Sequence, residues 1–310
     1  MSATFLFSMT PVSESCELSV IVGSLDAAET VCESVSALVE SCDGLDAEIL
    51  LIDASHDESA RVVREAFPTV SVATMPPGTL VPALWGAGLA RARGRVVAFT
   101  LAQCTVERGW ARAMIEGIRS GAAGVGGRLN VRPRTSATGR ATFYLRYSAW
   151  LGVPDGPAHE IAGDNAAYDH DALTEAGQGG GGPFWEVEAH ARFREFGRTL
   201  RVIPGATAWF TDRVSLGTMA ARRFSHGRHS GAFRVRSGIR TRWQMLLGAP
   251  LVPFVLFARV ARRIARVPGH LGSFLSASGA FFVLAFAWAA GEAIGGITAD
   301  TKMREALRAA

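Results

Sequence analysis

Side chains able to hold a hydroxyl-rich or anionic ligand recur at intervals along this 310-residue chain. Asp26 follows the apolar run 18–22, and Asp53, trailed by Ser55 and Asp57, follows the run 48–52. A carboxylate at such a place accepts hydrogen bonds from ribose hydroxyls or a base N–H. Asp26 reads equally well as the N-cap of a helix beginning near Thr30. Asp164 and Asn165 carry the acceptors and donors that sugar hydroxyls need, or they form an Asx turn leading into residues 171–176. Glu186 and Glu188 are carboxylates two residues apart, a type that can take a proton from an attacking hydroxyl. On residues alone, Glu186 reads as a solvated first-turn glutamate favoured by the helix dipole. Arg222, Arg223 and Arg228 open a basic stretch that continues through Arg234, Arg236, Arg240 and Arg242. The first three suit an anionic ligand or phospholipid headgroups equally; for the later four, headgroups are the better partner.

Ligands of open α/β sheets bind beyond the carboxyl ends of the strands, so the elements that deliver these residues matter. Residues 18–22 (LSVIV), 48–52 (EILLI) and 96–99 (VVAF) are short apolar runs of the kind that buried parallel strands require. Between them, residues 30–39 place Val31, Val35, Leu38 and Val39 at helical spacing, and 58–66 and 83–92 also fit helices. The pattern predicts β-α-β units and a doubly wound, mostly parallel sheet flanked by helices. The glycines of 121–127 lie too late for a dinucleotide loop and are expected to enter a strand, while 177–182 (GQGGGG) is expected to be a flexible loop. His56, His159 and His190 form no metal-spaced pair with an acid, and His226 and His229 belong with the basic face.

Composition narrows the class. At 48% hydrophobic and 19% charged residues the chain buries a core and is not disordered. Four cysteines without CxxC spacing imply reduced thiols, and the N-terminus lacks the basic and apolar regions of an export signal. The net charge of +4 is uneven. Residues 213–266 hold twelve Arg and no acid and residues 267–310 balance, which leaves residues 1–212 at −8. A nucleic-acid binder spreads its basic charge over the reading domain, so no nucleic-acid partner is expected. Two stretches carry no formal charge. Residues 243–258 reach roughly 24 Å as a helix and contain Pro250 and Pro253, which predicts an interfacial or re-entrant segment. Residues 267–291 reach roughly 37 Å, enough to cross a bilayer, with the transmembrane candidate at about 270–291. A single span keeps Arg259, Arg262, Arg263 and Arg266 on the cytoplasmic side.

The segments after the three strands form a series: Gly23-Ser24-Leu25-Asp26-Ala27, then Asp53-Ala54-Ser55-His56-Asp57, then Thr100-Leu101-Ala102-Gln103-Cys104 with Gly109-Trp110 following. In order and spacing this series resembles a family 2 glycosyltransferase of GT-A fold over residues 18–235. The resemblance implies a nucleotide-sugar donor held by Gly23, Asp26 and Asp53, with Asp53 on the nucleoside. Residues 163–168 match the family's Gly-x-Asn-x-Ala-aromatic segment, which places Asp164 and Asn165 near the donor sugar and acceptor. Aligned through Arg192 and Gly197, Glu186 takes the place of the catalytic base and Glu188 that of a later acid.

The resemblance also has departures. The family often reads Phe-Thr-Asp-x-Asp-Cys where residues 99–104 read FTLAQC, so Leu101 and Gln103 replace both metal-binding carboxylates. Phe210 stands where the family often has His. These replacements predict that the usual Mg²⁺ or Mn²⁺ is not bound and that no other cofactor is used; Gln103 stays a donor-site residue, and Arg222, Arg223 and Arg228 offset the charge of the diphosphate. The domains then read as an N-terminal extension (1–17), a GT-A domain (18–235), a membrane-associated region (236–298) and a tail (299–310). The expected function is inverting transfer from a nucleotide-diphosphate sugar to a lipid-linked or other hydroxyl, at the cell membrane with the catalytic domain facing the cytoplasm. The alternative, motivated by the lost carboxylates, is a non-catalytic protein that binds a nucleotide-sugar or a membrane partner.

Overall fold

The computed structural model describes residues 15–299, so the tail from residue 300 and the N-terminal extension up to residue 14 lie outside the described residues. In chain order the elements are β1 (Cys16–Ser24), α1 (Val31–Ser41), β2 (Ala47–Asp53), α2 (Ser59–Ala66), β3 (Ser71–Thr74), α3 (Val81–Leu89), β4 (Gly94–Leu101), β5 (Cys104–Val106), α4 (Trp110–Arg119), β6 (Gly124–Gly126), β7 (Leu129–Val131), α5 (Ala137–Tyr147) and β8 (Gly156–Ala158). A 3-10 turn (Gly163–Asn165), β9 (Ala166–Asp169), α6 (His170–Glu175), α7 (Glu186–Glu195), β10 (Leu200–Val202), β11 (Ala208–Phe210), α8 (Leu216–Arg236), α9 (Arg242–Gly248), α10 (Val252–Ile264), α11 (Leu271–Ser276) and α12 (Ser278–Thr298) follow. They fall into two compact units. Up to residue 102, with 106–127 and 155–206, the chain forms the first; 103–105, 128–154 and the chain from 207 form the second. This division differs from the chain-order boundary expected at 235, because residues 128–154 and 207–235 cluster with the C-terminal helices.

The first unit is built on an eight-stranded sheet of order β3-β2-β1-β4-β9-β6-β10-β8. β1 pairs in parallel with β2 and β4, β2 with β3, and β6 with β10; β9 and β8 run antiparallel to their neighbours. Leu18, Val20, Ile21, Val22, Val97, Ala98 and Phe99 are fully enclosed, which explains why the central strands read as unbroken apolar runs with no alternation. α1 buries Val31, Val35 and Leu38 of the expected stripe together with Ser34 and Ser41, whereas Val39 is exposed. The edge strand β3 has no buried residue and was not visible as an apolar run. Strand order reverses between β1 and β4, the place where open α/β sheets part to form a ligand crevice. Gly23 and Leu101 are register partners there. A Cβ on Gly23 would come within 3.3 Å of both Leu101 Cδ2 and Trp85 Nε1, so glycine keeps this end of the crevice narrow.

The second unit contains a three-stranded sheet, β5-β11-β7, and the helices α5 and α8–α12. Phe210, expected at a family histidine position, is a core residue here, packed against Phe143 and Tyr147 with ring centroids 6.0 and 5.6 Å away. α8 and α12 touch backbone to backbone. A Cβ on Gly231 would lie 2.1 Å from Glu292 O, and one on Gly295 2.0 Å from Arg228 O. Two helical stretches, 242–264 and 278–298, are long and apolar enough to cross a membrane, with mean hydropathies of 1.6 and 1.7. The second does not coincide with the charge-free window. The helix breaks at Ala277 and, once restarted, continues through Glu292 to Thr298, because the Glu292 carboxylate is buried against Ser230 and Arg234.

Candidate active site

Sheet register brings the carboxyl ends of the first unit's parallel strands to one edge. Asp53 closes β2 opposite Ser24, and Gly23 lies opposite Leu101. One hydroxyl knits the first two loops together. Ser55 Oγ donates to Asp53 Oδ1 at 2.6 Å and accepts the Asp26 N–H at 2.8 Å, while Ser55 N–H donates to Asp53 Oδ2 at 3.2 Å. Asp26 in turn accepts the His56 N–H at 2.7 Å, and Asp57 Oδ2 accepts the Ala28 N–H at 3.0 Å. The N-cap reading of Asp26 is thereby corrected: Thr30 occupies the N-cap of α1, and Asp26 sits in the left-handed region with φ 47°. Asp53 is 3% exposed, and each of its oxygens keeps a second acceptor direction. Beside it, the buried Ser24 hydroxyl has no hydrogen-bond partner among the described residues, a polar group the sequence reading passed over.

The segment Leu101-Ala102-Gln103 begins inside the sheet, at the end of β4. Leu101 and Ala102 are 2% and 0% exposed, and Ala102 N–H donates to Gly23 O at 3.0 Å. An aliphatic side chain against Gly23 has no lone pair for a hard cation. Among the described residues no group of three or more His, Cys, Asp or Glu is placed to hold a metal ion. The side chains of Leu101 and Ala102 thus offer a divalent cation no ligand. Gln103 belongs to the second unit, where its carbonyl accepts the Thr211 N–H at 2.9 Å.

The 3-10 turn Gly163–Asn165 leads directly into β9, whose first residue, Ala166, pairs with Phe99 of β4. Asn165 proves to be scaffold, which corrects its expected role on the sugar. It is fully buried, its Oδ1 accepts Trp110 Nε1–H at 2.6 Å, and its Nδ2 donates to Ala206 O at 2.9 Å. Asn165→Ala is expected to lower unfolding free energy by about 2–4 kcal/mol in a denaturant titration, since two buried partners lose their bonds. Asp164, 6% exposed, remains beside Tyr168, whose hydroxyl pKa is raised by burial and by the charges of Glu186, Glu160 and Asp164.

Glu186 is the first residue of α7 and half-buried, and its carboxyl carbon lies within 3.3 Å of where a Gly163 Cβ would stand. The absence of a side chain at Gly163 thus leaves room for this carboxylate. Glu188 is exposed on the same turn. Tyr168, His190, Glu160 and Arg194 of the same unit form a hydrogen-bonded series. Tyr168 OH lies 2.9 Å from His190 Nε2, His190 Nδ1 is hydrogen-bonded to Glu160, and Arg194 donates to Glu160 Oε1 at 2.9 Å. Burial lowers the His190 pKa, with Glu160 opposing. These residues lie 22 and 30 positions apart, a separation no local spacing rule detects.

In the second unit, α8 disperses the three arginines expected on the diphosphate. At about 100° per residue, Arg222, Arg223 and Arg228 project in three directions. The Arg223 guanidinium lies 4.4 Å from the Trp288 ring centroid, and burial pushes its pKa down to about 10. Arg222 instead acts, with Arg146 of α5, on the buried Asp212 of the same unit, whose pKa is raised by burial. Arg228 is exposed.

A mostly parallel α/β sheet places its ligand sites in the loops at the carboxyl edge of the strands, where these carboxylates lie. The family model for glycosyl transferase family 2 matches residues 19–176, half of the chain, and the chain belongs to that family. The match runs from β1 through α6 and stops short of Glu186 and the basic helix. A solved structure of the mannosyltransferase PcManGT from Pyrobaculum calidifontis, in complex with GDP-Man and Mn²⁺, is similar over 96% of this chain and 79% of its own, at 19% identity and a TM-score of 0.46. No curated protein matches.

Proposed function

We propose that the chain transfers a sugar with inversion from a nucleotide-diphosphate donor to a hydroxyl on a lipid-linked or membrane-proximal acceptor at the cytoplasmic leaflet, with no divalent cation at the strand-end site. The placement of Glu186 against Gly163, beside Asp164, carries this reading. Asp53 and Asp26 receive the nucleoside along the Gly23 edge, and Asp164 receives sugar hydroxyls. As the acceptor oxygen attacks the anomeric carbon, Glu186 takes its proton, and the bond to the diphosphate breaks with the electron pair leaving on phosphate oxygen. The charge that develops on the diphosphate calls for guanidinium groups or another cation to offset it.

Membranes containing the protein should move radiolabel from one of a panel of nucleotide-sugars to a lipid-extractable product at the same rate with and without EDTA. EDTA-sensitive turnover would overturn the cation-free site. Nucleotide binding without turnover on any donor would instead favour the non-catalytic alternative that the replaced carboxylates motivate. Asp53→Ala should raise the nucleotide Kd in calorimetry by about tenfold to a hundredfold, the worth of hydrogen bonds to a charged acceptor. Ser55→Ala, which removes only the latch, should raise it less; equal effects would move Asp53 from ligand to scaffold.

A further inference from the structure

We propose that the C-terminal helices lie in the plane of an anionic lipid leaflet and do not cross it. The proposal rests on the reading of the chain as membrane-associated and concerns only how it associates. By length and hydropathy α12 could span, but its surroundings within the second unit argue against it. Along its 21 residues the exposed positions, Gly279, Val283, Phe286, Ala290, Ile294, Ile297 and Thr298, fall on one side. The opposite side is closed by α8, which meets α12 at Gly227, Gly231, Gly291 and Gly295.

α8 carries Arg222, Arg223, Arg228, Arg234 and Arg236. Were the pair to cross together, each arginine near mid-bilayer would disfavour insertion on the order of a hundredfold. Were α12 to cross alone, Glu292 would lose Ser230 Oγ, at 3.1 Å, and Arg234 Nη1, at 3.2 Å, and enter hydrocarbon unpaired. Lying flat requires neither.

The surface left uncovered has the makeup of an interfacial face. Trp243, Leu247, Leu251 and Phe254 are 71%, 72%, 64% and 56% exposed along α9 and α10. The Phe254 and Phe286 rings, both exposed, stand 5.9 Å apart, so the apolar faces of α10 and α12 are continuous. Immediately beyond them Arg259, Arg262 and Arg263 are exposed on the last turns of α10, with Arg266 following. Apolar side chains entering the acyl boundary beside guanidinium groups at headgroup level match an anionic leaflet.

The test uses the full chain. It should float with vesicles of phosphatidylcholine mixed with phosphatidylglycerol and bind pure phosphatidylcholine at least about tenfold more weakly, at about fivefold per Arg replaced by Gln among positions 259, 262 and 263. Phe254→Glu, at an exposed position, should abolish flotation while leaving the circular dichroism spectrum unchanged. In sealed vesicles from expressing cells, Ser278→Cys and Thr298→Cys should both react with an impermeant maleimide from the same face, above the background of the four native cysteines. Labelling from opposite faces would overturn the in-plane orientation and leave membrane association intact. Failure to associate with any vesicle would remove membrane association itself. Dimers that form in solution without vesicle binding would assign the face to a second copy and overturn the proposal.

Discussion

Glu186→Gln is expected to lower sugar transfer by about 10²- to 10⁴-fold while leaving donor affinity unchanged. The substitution keeps the shape of the side chain against Gly163 and removes only its capacity to accept a proton. Loss of a positioned general base costs about 10²- to 10⁴-fold in rate. The fall should therefore appear in kcat, measured under donor saturation, with the nucleotide-sugar Kd from calorimetry within experimental error of the parent. Glu188→Gln is the internal control. Its side chain is exposed one turn face away, and its kcat should stay within about threefold of the parent. Full activity in the Glu186 variant would return this residue to the ordinary role of a first-turn glutamate that favours its own helix, and a loss confined to the Glu188 variant would transfer the base to that position.

Gly291→Leu is the second large effect, this time on stability. The new Cβ would fall 2.1 Å from Phe224 O and 3.0 Å from Arg228 N, both backbone atoms that cannot turn aside. α8 and α12 would have to separate, which strains the core by about 1–3 kcal/mol before the buried Glu292 loses its partners. Breaking that ion pair by withdrawal of one partner adds about 3–5 kcal/mol. A protein of ordinary stability has little left after such a loss, so the variant should fail to accumulate or should melt far below the parent in differential scanning fluorimetry. Gly279→Ala on the same helix meets nothing within 4 Å and should raise stability by about 0.5–1 kcal/mol. If Gly291→Leu were tolerated as easily as Gly279→Ala, the close seam between the two helices would not exist in solution.

The parts of the fold legible in the sequence are those in which one local pattern has one physical meaning. β1, β2 and β4 are enclosed on both faces, and an unbroken apolar run states this directly. The strand-end carboxylates Asp26 and Asp53 followed from the same runs, since whatever ends a parallel strand stands on the carboxyl edge. β3 left no such trace, because an edge strand with no buried residue needs no apolar run. Asn165 was misjudged for a different reason. Its polarity is visible in the sequence, but its hydrogen bonds go inward, to Trp110 and Ala206. The Tyr168, His190 and Glu160 relay depends on contacts between distant segments and has no local signature. On the basic helix, positions 222, 223 and 228 are too unevenly spaced to share one face, a fact local spacing states directly. The charge-free window ends at residue 291, whereas α12 continues because Glu292 is paired with Arg234, a partner distant in the chain.

The chain passes between its two compact units several times, through the short excursion at 103–105, the loop-and-helix segment 128–154 and the final stretch from 207 onward. A ready-made anchor added to the end of a finished enzyme would leave a single junction. Here residues 103–105, next in the chain to the end of β4, and the helices bearing the apolar surface belong to the same unit, so no single cut of the chain separates the two units.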